Sequence, residues 1–315
     1  MNLPRILVVG DAMLDRYWDG VVERVAPEAP EAAVPVLRVT RRFDRAGGAA
    51  NVACNLAALG AAVSLVALAG DDADGENLAG QLESAGVAYD RVVDPAWATI
   101  VKIRCIAQRQ LLLRADFETP PPPAMRARLA ERFARALPLH DVVVLSDYAK
   151  GALDDCAPLV RAAVAAGKPV LVDPKGADWS RYAGATLVKP DAAGLAAALG
   201  VVAQDDLERQ ATALRRRHGW RHLLLTQGER GMTLFDDAGV VQAPAQARGA
   251  GVLDVTGAGD TVLATLAWRI AEGDEVGQAL RWASVAAGLA VRRVGNAVVT
   301  REELADAWDG GRAGG

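Results

Sequence analysis

Gly251-Val252-Leu253-Asp254-Val255-Thr256-Gly257-Ala258-Gly259-Asp260-Thr261 is the stretch around which the 315-residue chain is organised. Gly257, Ala258 and Gly259 carry no bulky side chains, so the backbone N–H groups of this turn can crowd together. The apolar run Val262 to Ile270 follows with helical character. Free N–H groups at a helix start, where the helix dipole is positive, form a ready anion site. Phosphate is the expected guest. Asp260 lies on the same turn, where its carboxylate can take the proton of a hydroxyl attacking that phosphate. An aspartate near a helix start also has a plainer use, since it caps orphan N–H groups. The compactness of Gly257-Ala258-Gly259-Asp260 and a second acid upstream, Asp254, favour phosphoryl transfer to an alcohol.

Working outward, 51% hydrophobic and 23% charged residues suit one large α/β domain with an appendage. A net charge of -4 argues against nucleic acid as the main partner. Cys54, Cys105 and Cys156 lack metal-ligand spacing and read as reduced thiols. His218 and His222 have the spacing of a metal pair, but an arginine run precedes them and Gly219-Trp220 lies between, so they read as surface residues. Arg41-Arg42 and Arg215-Arg216-Arg217 read as solvated faces, with Arg42 or Arg45 a candidate for an anionic ligand. The start runs straight into Ile6-Leu7-Val8-Val9, too short for a signal peptide. The longest apolar stretch, Leu56 to Gly70, is interrupted and falls below the ~20 residues of a membrane span. The expected setting is cytoplasmic, with no membrane partner.

Arg5 to Gly10 reads as a buried parallel strand. Residues 47–59 predict a helix and 63–69 the next buried strand. The polar, proline-containing segment before that helix and the segment from 90 to 118 read as β-rich. Together, about 12–45 and 90–118 are expected to form a small sheet covering a site. After Pro120 to Pro123 the pattern turns regular, with helices leading to strands that end in Ser146-Asp147-Tyr148, Asp173-Pro174-Lys175, Lys189-Pro190-Asp191 and Thr226-Gln227-Gly228. The helix before the last of these is expected over 205–218. Strands that end one after another in polar residues indicate an α/β sheet with its site at the carboxyl ends.

Asp254-x-x-Gly257-x-Gly259-Asp260 resembles the C-terminal signature of the ribokinase-like (PfkB) carbohydrate kinases, and Gly47-Gly48-x-x-Asn51 resembles their N-terminal signature. The resemblance implies a ribokinase-like three-layer α/β/α fold with a mostly parallel sheet and a β-sheet lid. It implies Asp260 as catalytic base and Gly257, Ala258 and Gly259 as the anion hole. Gly47, Gly48, Asn51 and Asp15 would contact the sugar. Thr226 and Gly228 would meet the ATP phosphates, and Lys189, Asp191, Ala192, Ala193 and Gly194 would form the nucleotide and Mg²⁺ segment. In that segment Asp191 stands where the family has Asn, and Gly194 where it has Glu. A monovalent cation, K⁺, would sit near Asp254 and Thr256.

Further residues resemble a subgroup of that family acting at C1 of a sugar that already carries phosphate. They include Gly10-Asp11-Ala12-Met13-Leu14-Asp15-Arg16-Tyr17, Arg24 with Pro27-Glu28-Ala29-Pro30, Ser146-Asp147-Tyr148-x-Lys150-Gly151 and Asp173-Pro174-Lys175-Gly176. Such a substrate needs cations beside its hydroxyl-binding groups, and Lys102, Arg104, Lys150 and Lys175 are available. A homodimer through the exposed lid is expected. Three other readings stay open: a kinase of this family for another sugar, a dinucleotide oxidoreductase and a non-catalytic sugar sensor. Gly47-Gly48-x-x-Asn51 is not the G-x-G-x-x-G of the oxidoreductases, and an intact Asp260 argues against the sensor.

Overall fold

In the computed structural model, residues 3–27, 30–200, 206–247 and 251–312 are described. Glu28 and Ala29 lie outside them, as does Asp205, the expected first residue of one helix. The apolar run at the start forms β1 (Arg5–Gly10), whose Ile6 to Val9 are fully buried. It pairs in parallel with β4 (Ala62–Gly70) on one side and β8 (Val142–Ser146) on the other. Beyond β4 lies β5 (Ala88–Asp94). Beyond β8 follow β9 (Val170–Asp173), β10 (Leu187–Val188), β11 (His222–Thr226), β12 (Met232–Asp236) and β13 (Gly239–Ala243), completing a nine-stranded sheet. Its last two strands run antiparallel as a hairpin, which the sequence reading did not foresee.

Alternation along β1 sends Ile6 and Val8 to one face and Leu7 and Val9 to the other. The first face is covered by α1 (Ala49–Ala58), α2 (Ala73–Ser84), α7 (Ala258–Ala271), α8 (Val276–Ala290) and α9 (Arg301–Arg312), through residues such as Leu56, Leu78, Leu263, Ala283 and Leu304. The second is covered by α3 (Pro123–Ala136), α4 (Ala157–Ala165), α5 (Ala192–Leu199) and α6 (Leu207–Arg217), through Leu129, Leu159, Leu195 and Ala211. The result is three layers, helix, sheet and helix.

A second sheet of four strands, in the order β3-β2-β6-β7, grows directly out of the first. β2 (Ala12–Val25) starts just after β1, and β3 (Pro35–Gly48) runs straight into α1. β6 (Val101–Ala107) lies parallel to β2, and β7 (Gln110–Phe117) pairs antiparallel with β6. The expected second piece of this sheet, from residue 90, is corrected here. Ala88–Asp94 pairs along β4 at the edge of the large sheet, because Val92 is fully buried there.

Two readings of surface charge are also corrected. Arg215 is 2% exposed and donates to the carbonyls of Trp220 and Arg221 while pairing with Asp237, so it staples the turn into β11. His218 stacks on the Trp220 ring at 4.8 Å, and His222 is half-buried beside Asp236. Among the described residues no helix is long and apolar enough to cross a membrane.

Candidate active site

Gly257 caps α7 with a left-handed φ of 77°. A Cβ there would lie 2.9 Å from Asn51 Nδ2 and 3.1 Å from Asn296 Oδ1, so the cradle closes only around glycine. The turn sets Asp260 in the first turn of α7 at 3% exposure. Asn51 Nδ2 donates to its Oδ2 at 2.7 Å, and the Tyr148 hydroxyl donates to its Oδ1 at 2.6 Å. Burial pushes the carboxyl up to about 6, against those two donors; Asp173 adds to the rise and Lys189 opposes it. Such a group is ionised at neutral pH yet basic enough to accept a proton from an alcohol that is being phosphorylated.

The two N-terminal glycines serve close approach. A Cβ on Gly47 would lie 2.6 Å from Asp15 Oδ2, and one on Gly48, where φ is 59°, would lie 2.3 Å from the Asp11 carbonyl. Asp15, buried, pairs with Arg104 and accepts from Asn296 Nδ2 at 2.6 Å. Asn55 donates to the Asn51 carbonyl and accepts from the Thr261 hydroxyl, locking α1 against α7. Asp254 accepts the N–H of Thr256 at 2.9 Å and that of Gly295 at 2.8 Å, which pins the turn ahead of the cradle.

Strand register gives the small sheet one basic face. Asp15 lies opposite Arg45 on β3 and Lys102 on β6, and Tyr17 lies opposite Phe43 and Arg104. Paired residues share a face, so Arg45, Lys102 and Arg104 all stand on the side of Asp15. Lys102 is buried at 9% exposure, and burial together with the nearby Lys150 holds its pKa down. Lys150 itself pairs with Glu118 at 2.6 Å. Arg42, by contrast, lies over the Trp18 ring on the opposite face, where Arg16 ties Asp44 to Asp74 of α2. The cleft of about 540 Å³ beside the edge strand β3 is bordered by Arg42 and Asp44 and also by Phe43 and Arg45, and contains none of the acids around Asp260.

The cleft of about 480 Å³ beside Asp260 is the one that gathers the strand ends. Lys189, 2% exposed, pairs with Asp173 at 2.9 Å, and Lys175 lies 3.2 Å from Asp191. Asp191 also caps α5 by accepting the Gly194 N–H at 2.6 Å, with Ala192 and Ala193 on the same first turn. Thr226 bonds the Pro190 carbonyl, and Gly228 follows it on the cleft wall. Lys175 was expected beside the sugar phosphate; it stands instead among the residues expected to meet ATP, because the end of β9 carries it toward Asp191. Among the described residues there is no cluster of three or more metal-ligating acids, histidines or cysteines. The two carboxylates on this wall, Asp173 and Asp191, fit a Mg²⁺ ion that arrives bound mainly by nucleotide phosphates.

Four residues of this arrangement had no role in the sequence reading: Asp11, Tyr148, Asp173 and Asn296. The first three end strands or follow them closely, and strand-end position was the available signal. Asn296 carries no motif at all.

A ribokinase-like layered sheet, a glycine cradle and a buried carboxylate beside it define the class of sugar kinases. Residues 3–302 match the model of the pfkB family carbohydrate kinases, and the chain belongs to that family. Members of this class are phosphotransferases with an alcohol as acceptor. The chain is similar to D-beta-D-heptose 7-phosphate kinase of Bordetella bronchiseptica, with 51% identity over 96% of this chain and 95% of that protein. It is 47% identical to the bifunctional protein HldE of Methylococcus capsulatus over 99% of this chain, but spans only 65% of that longer protein. Phosphofructokinase-2 from Escherichia coli in complex with potassium shares the fold, with a TM-score of 0.79, 19% identity and coverage of 98% of this chain and 99% of that one.

Proposed function

We propose that this chain transfers the γ-phosphoryl group of Mg²⁺·ATP to C1 of D-glycero-β-D-manno-heptose 7-phosphate, giving the 1,7-bisphosphate on the route to ADP-heptose and the lipopolysaccharide inner core. The observation that carries this reading is 51% identity along nearly the whole length of a relative named for that substrate. The basic lid face supports it, since a sugar that brings its own phosphate needs Arg45, Lys102 and Arg104 beside the hydroxyl-binding Asp15. In this mechanism Asp15, Gly47, Gly48 and Asn51 hold the sugar and Asp260 takes the anomeric proton. The turn Gly257 to Gly259 meets the charge that develops on the transferred group. Lys189, Asp191 to Gly194, Thr226 and Gly228, with Lys175, line the nucleotide side. A Mg²⁺ ion bound there with the nucleotide would supply neutralisation of phosphate charge. A potassium ion near Asp254 and Thr256 is part of the same proposal, as is a cytoplasmic setting.

The test is ATP-dependent turnover on a panel of sugars. ADP release confined to the heptose 7-phosphate supports the substrate; comparable kcat/KM on fructose 6-phosphate or ribose discards it and keeps the kinase.

The lid also supports a homodimer. Leu111, Leu113 and Phe117 are each more than half exposed on β7, an edge strand of the small sheet. An apolar edge of this kind is a pairing surface unless it is covered. The double variant Leu111→Lys, Leu113→Lys is expected to shift the protein from dimer to monomer in analytical ultracentrifugation. An unchanged sedimentation coefficient would place the interface elsewhere.

A further inference from the structure

We propose that Tyr148 is a positioning residue for Asp260, delivered to it by a loop that the buried carboxylates of Asp11 and Asp147 hold in a strained form. The inference rests on the reading of Asp260 as the base and adds the device that aims it.

Asp11 sits between β1 and β2 at 2% exposure. Its Oδ2 accepts the N–H groups of Tyr148 at 2.8 Å and Lys150 at 3.0 Å, and its Oδ1 accepts that of Ala152 at 3.0 Å. One side chain therefore satisfies three backbone donors of the loop after β8. Asp147, also 2% exposed, accepts the N–H of Ala149 at 2.7 Å, while its other oxygen is held by Arg181 at 2.9 Å and by the Tyr182 hydroxyl at 2.6 Å. Between these anchors Ala149 adopts φ 54°, a left-handed conformation that alanine avoids. Such strain persists only where the surroundings over-determine it, and it clusters at functional sites. Two carboxylates in mutual repulsion, buried to fix six residues, are far more than an ordinary strand-end turn requires.

What the loop delivers is the hydroxyl of Tyr148, 2.6 Å from Asp260 Oδ1. Asn51 holds the other oxygen. With one neutral donor on each oxygen, the plane of the carboxylate is fixed while each oxygen keeps a lone pair for the hydroxyl that will be phosphorylated. Burial and the charge of Asp260 hold the Tyr148 phenol well above its usual pKa, so it stays a donor throughout the working range. The other groups acting on Asp260 are Asn51 from α1, Asp173 at the end of β9 and Lys189 just after β10, and a change confined to the Tyr148 oxygen leaves all of them in place.

Tyr148→Phe is the test, because it deletes one oxygen and keeps the ring. Losing a donor to the ionised form raises the Asp260 pKa. We expect the acid limb of kcat/KM to move up by about one pH unit. At pH 6, kcat/KM should fall about fivefold, with a smaller loss at pH 8.5 and KM for ATP within about twofold. Titration of the Asp260 carboxyl carbon by NMR, assigned from its absence in Asp260→Asn, should show the same upward shift without any turnover. An unmoved titration, or an unmoved acid limb with kcat within twofold of wild type, overturns the proposal. A shifted titration in a protein that turns over no sugar keeps the positioning role and discards Asp260 as the base. Asp11→Asn is expected to move the titration in the same direction by less. No movement there, beside a clear shift in Tyr148→Phe, removes the loop from the account.

Discussion

Asp260→Asn is expected to lower kcat by about 10²- to 10⁴-fold, the range a positioned general base supplies, while leaving the fold intact. The amide is nearly isosteric. It keeps one oxygen for Asn51, and the Tyr148 hydroxyl can turn to accept from the new N–H₂. The stability outcome is as informative as the kinetic one. The folded pKa, about 6, lies above the ordinary carboxylate value of 3.8, so the ionised form costs stability above pH 6. That cost fades as pH falls through 6 toward 4, because the folded state then binds the proton first. At about 1.4 kcal/mol per unit the full shift is worth at most about 3 kcal/mol, a figure that already includes the lowering by the two hydrogen bonds. The variant should therefore be no less stable than wild type at pH 8 in urea melts, and closest to it near pH 4. Wild-type kcat/KM should likewise fall about tenfold per unit below pH 6, where the base is protonated. Retention of wild-type turnover in Asp260→Asn would sink the base assignment.

Lys189→Met should do the opposite, harming stability first. Lys189 is almost wholly buried and its one ion partner, among the contacts described, is Asp173 at 2.9 Å. Removing one partner of a buried pair typically costs ~3–5 kcal/mol, and Asp173 keeps enough exposure to put the value at the low end. At roughly 2 cal/mol/K of unfolding entropy per residue, a loss near 3 kcal/mol in a 315-residue chain is a drop in Tm of roughly 4–5 °C. Asp173 would then act on Asp260 with no cation to offset it, so the acid limb of activity should also move up. Adding Asp173→Asn should restore most of the lost Tm, because the stranded charge goes with it. A loss under about 1 kcal/mol in the single variant would show that the pair is solvated in the working protein.

The layered fold was legible because buried parallel strands are continuous apolar runs that stop at polar residues, and β1, β8, β9 and β11 obey that rule. The hairpin of β12 and β13 escaped notice: its outer strand is mostly exposed, so it lacks a continuous apolar run. β5 was assigned to the wrong sheet because a half-buried edge strand reads the same in either one. At the site, glycines and acids at fixed spacing marked Asp260, Asn51 and the cradle, since that chemistry is local in sequence. Two partners, Tyr148 of Asp260 and Asn296 of Asp15, were not legible. They reach these carboxylates only through the crossing of the sheet, and nothing near either residue says where it will point. Charge misled in the same way, as Arg215 in a basic run is the one that turns inward.

Asn296 has a consequence for how the molecule is born. It donates to Asp15 and to the Ala46 carbonyl, spanning 281 and 250 positions of chain. Synthesis at ~5–20 residues per second leaves the first lid strand waiting roughly a quarter of a minute to a minute for that partner. β1 waits as well, since its neighbour β8 is made more than a hundred residues later. The sugar side of the cleft is thus among the last parts to close. A chain stalled on the ribosome before residue 296 will display its lid edge with no finished pocket behind it, as a client for chaperones rather than a partial enzyme.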